Sequence, residues 1–143
     1  MTSRILAALA LVSALGTTAA WGQADSTIPK AGPVIPMSQM IADLKSDAPY
    51  TRNGAAYELA GLGPKAAPAV PALIEALQDP AASVRYPVTI ALREIGPAAA
   101  AAVPALTKMA EEDLNDEVAA SALQALRVID PAAAAKAEAE AGK

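Results

Sequence analysis

A chain of 143 residues is long enough for one domain and short for two. It has neither Cys nor His, which excludes disulfides, thiolate chemistry and Cys-based zinc sites and removes the commonest metal ligand and the commonest general base near neutral pH. A net charge of −4 argues against nucleic acid and against an anionic membrane surface as partners, because both call for clustered basic residues.

The first 24 residues follow the three-part plan of a secretory signal peptide. Met1 to Arg4 is a short cationic start, Ile5 to Leu15 an apolar run, and Gly16 to Ala20 a stretch of small residues. The apolar run is too short to cross a bilayer, which takes roughly 20 residues. Cleavage is expected after Ala20 or Ala24, leaving a mature chain without a membrane span in the periplasm or outside the cell. Residues 25–36 hold three prolines and a glycine with no apolar period, and read as an extended linker.

From residue 37 onward the chain repeats itself. At an offset of 33, Met40 to Leu44 overlies Leu73 to Leu77, Arg52 overlies Arg85, Leu59 overlies Leu92, and Leu62-Gly63-Pro64 overlies Ile95-Gly96-Pro97. After one inserted residue near Asp113-Leu114 the offset becomes 34. Val84, Leu92, Arg93, Ile95 and Pro97 then overlie Val118, Leu126, Arg127, Ile129 and Pro131. Ala accounts for 39 residues and Phe for none, so helix forms readily while the core must come from Leu, Ile and Val.

Each unit reads as a helical hairpin. In the second, Leu73, Ile74 and Leu77 mark one helix, Asp79-Pro80 the turn, and Val84, Val88, Ala91, Leu92 and Ile95 the apolar stripe of the next. Gly96 stops that helix and Pro97 prevents its continuation. Pro87, Gly54 and Ser121 share one register inside the second helices, where Pro87 predicts a kink or a helix start at Ser83. A single hairpin cannot bury its stripe, so the units stack. Their bounds are about 37–64, 65–97 and 98–131, and residues 132–143 form an Ala/Glu/Lys helical tail that frays or caps the last hairpin.

Gly63-Pro64, Val70-Pro71-Ala72-Leu73, Leu77-Gln78-Asp79, Val84-Arg85, Ala91-Leu92 and Ile95-Gly96-Pro97 carry a resemblance to the HEAT repeats, and more closely to the HEAT-like repeats first described in phycobilisome lyases. The resemblance covers about residues 37–131. It implies an all-α fold, a short right-handed α-solenoid of three hairpins, and says little about activity. In that family the Arg after Val pairs with the Asp between the helices. This implies an ion pair between Asp79 and Arg85, and one between Arg52 and Asp47 or a neighbour. Ala119 occupies the Arg position of the third unit, where the tie should be missing.

No constellation of catalytic groups emerges. The dense acidic run Glu111 to Glu117 fails the calcium-loop pattern, since counting from Asp113 places Val118 sixth and Gln124 twelfth. It reads as a solvated turn favouring the next helix N-terminus, with a loose cation site as the alternative. Gly61-Leu62-Gly63-Pro64 is a helix stop without the Lys-Ser/Thr of a phosphate loop. Among HEAT-like enzymes, deoxyhypusine hydroxylase holds iron through His-Glu motifs, which a chain without His cannot supply, and bilin lyase activity fits an exported protein poorly. No cofactor or metal is expected.

The exposed side of the second helices is the better candidate. Helical spacing places Tyr86, Ile90, Arg93 and Glu94 opposite the Val84/Leu92/Ile95 stripe, and the repeat register adds Asn53, Tyr57, Gln124 and Arg127. Tyr and Arg are enriched in binding hot spots. The expectation is a non-enzymatic adaptor holding a protein or peptide on this row. A self-associating structural solenoid and a lyase- or isomerase-like protein with a small ligand are the rivals.

Overall fold

The computed structural model describes residues 34–142. The expected signal peptide and most of the expected linker lie outside the described residues. Among those described there is no strand, and the fold is the stack of helical hairpins expected. The first hairpin is α1 (Met37–Asp43) and α2 (Pro49–Leu62), the second α3 (Val70–Ala76) and α4 (Ala82–Ile95), and the third α5 (Val103–Glu112) and α6 (Asp116–Ile129). A last helix, α7 (Pro131–Ala141), packs on α5 and α6 through buried Ala134 and Ala137.

The second helices form the spine, α2 packing along α4 and α4 along α6. Leu59, Leu92 and Leu126 occupy one register and are each 0% exposed, as is Leu73. Burying such a side chain fully contributes roughly 2 kcal/mol, and Val84, Val88 and Val118 are buried with the Leu ladder in one core. Small residues let the helices approach: Ala56, Ala91, Ala122 and Ala125 are fully buried alongside it.

Local sequence explains the helix ends. Pro stands in the first turn of α2, α3, α5 and α7, where its missing N–H removes no hydrogen bond. The Asn115 side chain caps α6 by accepting from the Val118 N–H, and Asp130 caps α7 by accepting from the N–H groups of Ala132 and Ala133. α2 and α4 stop at Gly63 and Gly96, whose φ of 55° and 77° favour glycine.

One feature was not visible in the apolar pattern. After each stop the chain continues as a 3-10 helix, Gly63–Ala69 and Gly96–Ala102, before α3 and α5 begin. Pro64 opens the first segment and Pro97 the second, and Pro68 inside the first removes a further donor that an α-helix would need. Ala66, Ala69, Ala99 and Ala102 from these segments are 0% exposed, so the small side chains here belong to the core.

Helix α4 runs continuously from Ala82 to Ile95 with Pro87 inside it. Pro87 has no N–H to offer the carbonyl of Ser83 one turn earlier. The side-chain amide of Asn53 on α2 donates to that carbonyl instead. A neighbouring polar tie joins α4 to α6: the buried Thr89 hydroxyl donates to the Tyr86 carbonyl, which leaves Ser121 as the donor in the Thr89–Ser121 hydroxyl pair.

Candidate functional site

The row of residues expected to bind a partner divides into two ends. At the first end Asn53, Tyr57 and Tyr86 come together. With Ala82, Ser83, Asn115, Glu117 and Val118 they line a cleft of about 230 Å³ spanning the starts of α4 and α6. A second cleft of about 290 Å³ shares Asn53 and is otherwise lined by Asp43, Tyr50, Thr51, Gly54, Ala55 and Glu58. Tyr50 is 87% exposed and Tyr57 48%, whereas Tyr86 is half-buried. Asn53 serves both as the patch over the Pro87 gap and as the wall between the clefts.

The other end is occupied by contacts within the chain. Arg93 donates to the Glu94 carboxylate from Nε at 3.0 Å and from Nη2 at 2.8 Å, with a longer contact of 3.4 Å to the Gln124 side chain. Arg127 pairs with Glu138 of α7 at 2.7 Å. Ile90 is half-buried between the two ends. The seven residues therefore do not make one surface: Asn53, Tyr57 and Tyr86 converge, while Arg93, Gln124 and Arg127 tie the second helices to each other and to the last helix.

Sequence reasoning missed Tyr50, Asp43, Glu58, Asn115 and Glu117. The signal for two of them was present, because Tyr50, Tyr57 and Glu58 fall seven and eight residues apart on one helix and so share a face. Asp43, Asn115 and Glu117 come from turns and helix ends, and only the stacking of hairpins brings them alongside.

The expected side-chain pair between Asp79 and Arg85 requires correction. Arg85 reaches Asp79 only at its backbone carbonyl, through Nη1 at 2.8 Å, and its Nε and Nη2 both go to the Asp113 carboxylate at 2.8 Å. The Asp79 carboxylate receives Arg52 of the preceding unit, Nε at 2.6 Å and Nη2 at 3.1 Å. Arg52 likewise contacts Asp47 only at the carbonyl, at 3.1 Å, beside the Ser46 carbonyl at 2.8 Å. The geometry of the guanidinium is the reason. One Nη turns back to the carbonyls of its own inter-helix turn, and the Nε–Nη2 edge then points across to the next hairpin, where a bidentate carboxylate fits it. The pairs link neighbouring units.

These pairs are sheltered, the Asp79 and Asp113 side chains each being 7% exposed. Burial alone would raise the pKa of Asp79. The hydrogen bonds from Arg52 and from the Ala81 N–H, with the charges of Arg52 and Arg85, outweigh it and hold the carboxyl below its usual range. Asp113 is lowered mainly by the Arg85 hydrogen bonds, against burial, with help from the Asn115 N–H. Arg52 and Arg85 are raised by the same bonds. Clefts along this edge, such as the one of about 240 Å³ beside Arg85, Asp113 and Met109, are thus lined by charges already engaged.

The acidic run is not wholly a solvated turn. Asp113 belongs to the inter-unit pair, Asn115 to the α6 cap, and Glu112 lies 3.9 Å from Lys108, while Leu114 is fully exposed. Among the described residues no three acidic side chains are grouped so as to hold a metal ion. Glu111 has its pKa pushed up, by partial desolvation first and then by the Glu140 carboxyl that α7 brings beside it. No described helix is long and apolar enough to cross a membrane.

Stacked hairpins with a shared Leu ladder and an Arg–Asp tie between units define an α-solenoid repeat protein. A family model described as HEAT repeats matches residues 37–127. The chain belongs to the HEAT repeat family. None of the curated proteins compared with it is similar enough to count as a match.

Proposed function

We propose that this protein is a non-enzymatic scaffold that holds a protein or peptide partner on the face of its second helices, at the end where Tyr57 and Tyr86 converge. The observation that carries the reading is the Tyr-lined cleft between hairpins, with ring surface open to solvent beside polar groups that can direct it. HEAT repeats are commonly protein-interaction scaffolds, which favours a macromolecular partner over a substrate. The expected resemblance to phycobilisome-lyase repeats belongs to this proposal only as a likeness of repeat type; no ligand is carried over with it.

The test is capture of a partner from an envelope fraction by the wild-type protein and by a Tyr57→Ala/Tyr86→Ala variant of unchanged helical content. Loss of the captured species from the variant supports the face. Equal capture by both refutes it.

Export to the periplasm or the medium is part of the same proposal and rests on the N-terminal pattern. Cleavage after Ala20 leaves Trp21 in the mature chain, whereas cleavage after Ala24 removes the single Trp. Mass spectrometry of secreted protein, together with indole fluorescence, distinguishes the two sites, and recovery of only the uncleaved chain from the cytoplasm refutes export.

A further inference from the structure

We infer that the segment this face receives is cationic and extended, with Arg or Lys side chains seated among Tyr50, Tyr57 and Tyr86. The inference rests on the proposal that the second-helix face is the binding face, and adds the chemistry of the partner.

Charge is the first argument. The two adjoining clefts are lined by Asp43, Glu58 and Glu117, and by no Lys or Arg. None of these three carboxylates takes part in an ion pair among the described residues, nor do Asp47, Glu111, Asp116, Asp130 and Glu140, whereas Glu75, Asp79, Glu94, Glu112, Asp113 and Glu138 all do. What sets the three apart is that they line the two clefts beside Tyr rings. Basic side chains are abundant nearby in sequence, yet Arg52 and Arg85 are committed to the ladder and Arg93 to Glu94. The face is left with acids and aromatic rings and no cation of its own.

The rings are the second argument. A guanidinium or ammonium over a Tyr face is attracted by the ring quadrupole, and a carboxylate beside the ring adds to that attraction. The helix N-termini here could be thought to favour an anion. At α6 that role is already filled, because the Asn115 side chain caps the helix and Asp116 and Glu117 occupy its first turn. α2 and α4 follow Ala48 and Ala81 without a side-chain cap, and there the charge of Asp43, Glu58 and Glu117 decides the sign of the face. Asn53 supplies the third argument. One of its amide hydrogens is used on the Ser83 carbonyl, leaving its Oδ1 able to accept from the backbone of an extended segment lying across the wall between the clefts. Each cleft is below the roughly 300–1,000 Å³ typical of small-molecule sites, which favours single side chains inserted from a longer chain.

The experiment is fluorescence anisotropy with a fluorescein-labelled, proline-spaced arginine peptide, its citrulline analogue of equal shape and no charge, and a glutamate counterpart. The arginine peptide should bind roughly tenfold or more tightly than the citrulline one, and more weakly as salt is raised. Glu58→Gln/Glu117→Gln should weaken it by about tenfold. Glu75→Gln/Glu112→Gln changes net charge equally at the other edge and should leave affinity unchanged. Equal binding of arginine and citrulline peptides, or equal loss in both double variants, overturns the inference. An adaptor role then stands or falls separately on Tyr-dependent capture: a partner held through Tyr57 and Tyr86 by a neutral or acidic segment would retain the scaffold reading and reject the cationic one.

Discussion

Removing the Arg85 guanidinium is the sharpest test of what holds the hairpins in register. In Arg85→Met the aliphatic stem keeps its packing while four hydrogen bonds are lost, two to Asp113 at 2.8 Å and two to the carbonyls of Asp79 and Pro80. The Asp113 carboxylate, 7% exposed, is left with only the Asn115 N–H. Stranding one partner of a buried pair costs about 3–5 kcal/mol, and the residual access to water places this case near 3 kcal/mol. For a domain of this size that is a fall in Tm of about 10–20 °C. Adding Asp113→Leu removes the stranded charge, so the double variant should recover part of the loss and sit within about 1–2 kcal/mol of wild type. Urea titration followed by circular dichroism measures each step of the cycle. A cost under about 0.5 kcal/mol for Arg85→Met, the value of an exposed surface pair, would refute the reasoning, as would simple additivity in the double variant.

Both ladder carboxylates have folded pKa values below their unfolded ones, so their stabilisation is complete above the unfolded Asp pKa of about 3.9 and is lost as pH falls through the lower folded values. The urea midpoint should therefore fall steeply below about pH 4 in the wild type, and less steeply in an Arg52→Met/Arg85→Met background. Gly96→Ala should cost roughly 1–3 kcal/mol in the same assay; no atom lies within 4 Å of the added Cβ, so the loss is that of forcing a side chain to φ 77°. Asn53→Ala should cost about 0.5–1.5 kcal/mol by leaving the Ser83 carbonyl without its donor, and Pro87→Ala in the same background should restore most of that loss, because an N–H returns to the helix. If Pro87→Ala has the same effect with and without Asn53, the two residues do not compensate each other.

Much of the fold was legible because its determinants are local and periodic. The Leu59/Leu92/Leu126 register and the Gly-Pro stops each repeat at the spacing of one unit, and the structure buries the first and bends the chain at the second. What escaped was whatever depends on the direction of a side chain. Nothing in the Val84-Arg85 dipeptide reveals whether its guanidinium turns toward the Asp of its own hairpin or of the next, since both lie at the same edge of the stack. The 3-10 segments escaped because their Ala-Pro composition has no apolar period to read. The geometry of the proposed row was legible only in part for the same reason: helical spacing places Tyr86 and Arg93 on one side of α4, but only the stacked neighbours determine that Tyr86 borders a cleft while Arg93 is held by Glu94 and Gln124.

The ladder also accounts for two residues that break the repeat. Ser46, Asp79 and Asp113 are equivalent positions, each accepting the backbone N–H two residues on, which closes the inter-helix turn. At Asp79 and Asp113 an Arg arrives from the preceding unit, and the carboxylate is balanced. Among the described residues position 46 meets no such Arg, and its hydroxyl closes the turn through an exposed hydrogen bond without adding an unbalanced charge. At the far end the third unit carries Ala119 where the others carry Arg52 and Arg85. The helix that follows, α7, buries Ala134 and Ala137 against the third hairpin, and among the described residues no acid beyond Asp113 continues the ladder. Both departures follow from one rule, that each Arg is matched to the acid of the next hairpin. Among the described residues three units thus give two rungs, Arg52–Asp79 and Arg85–Asp113.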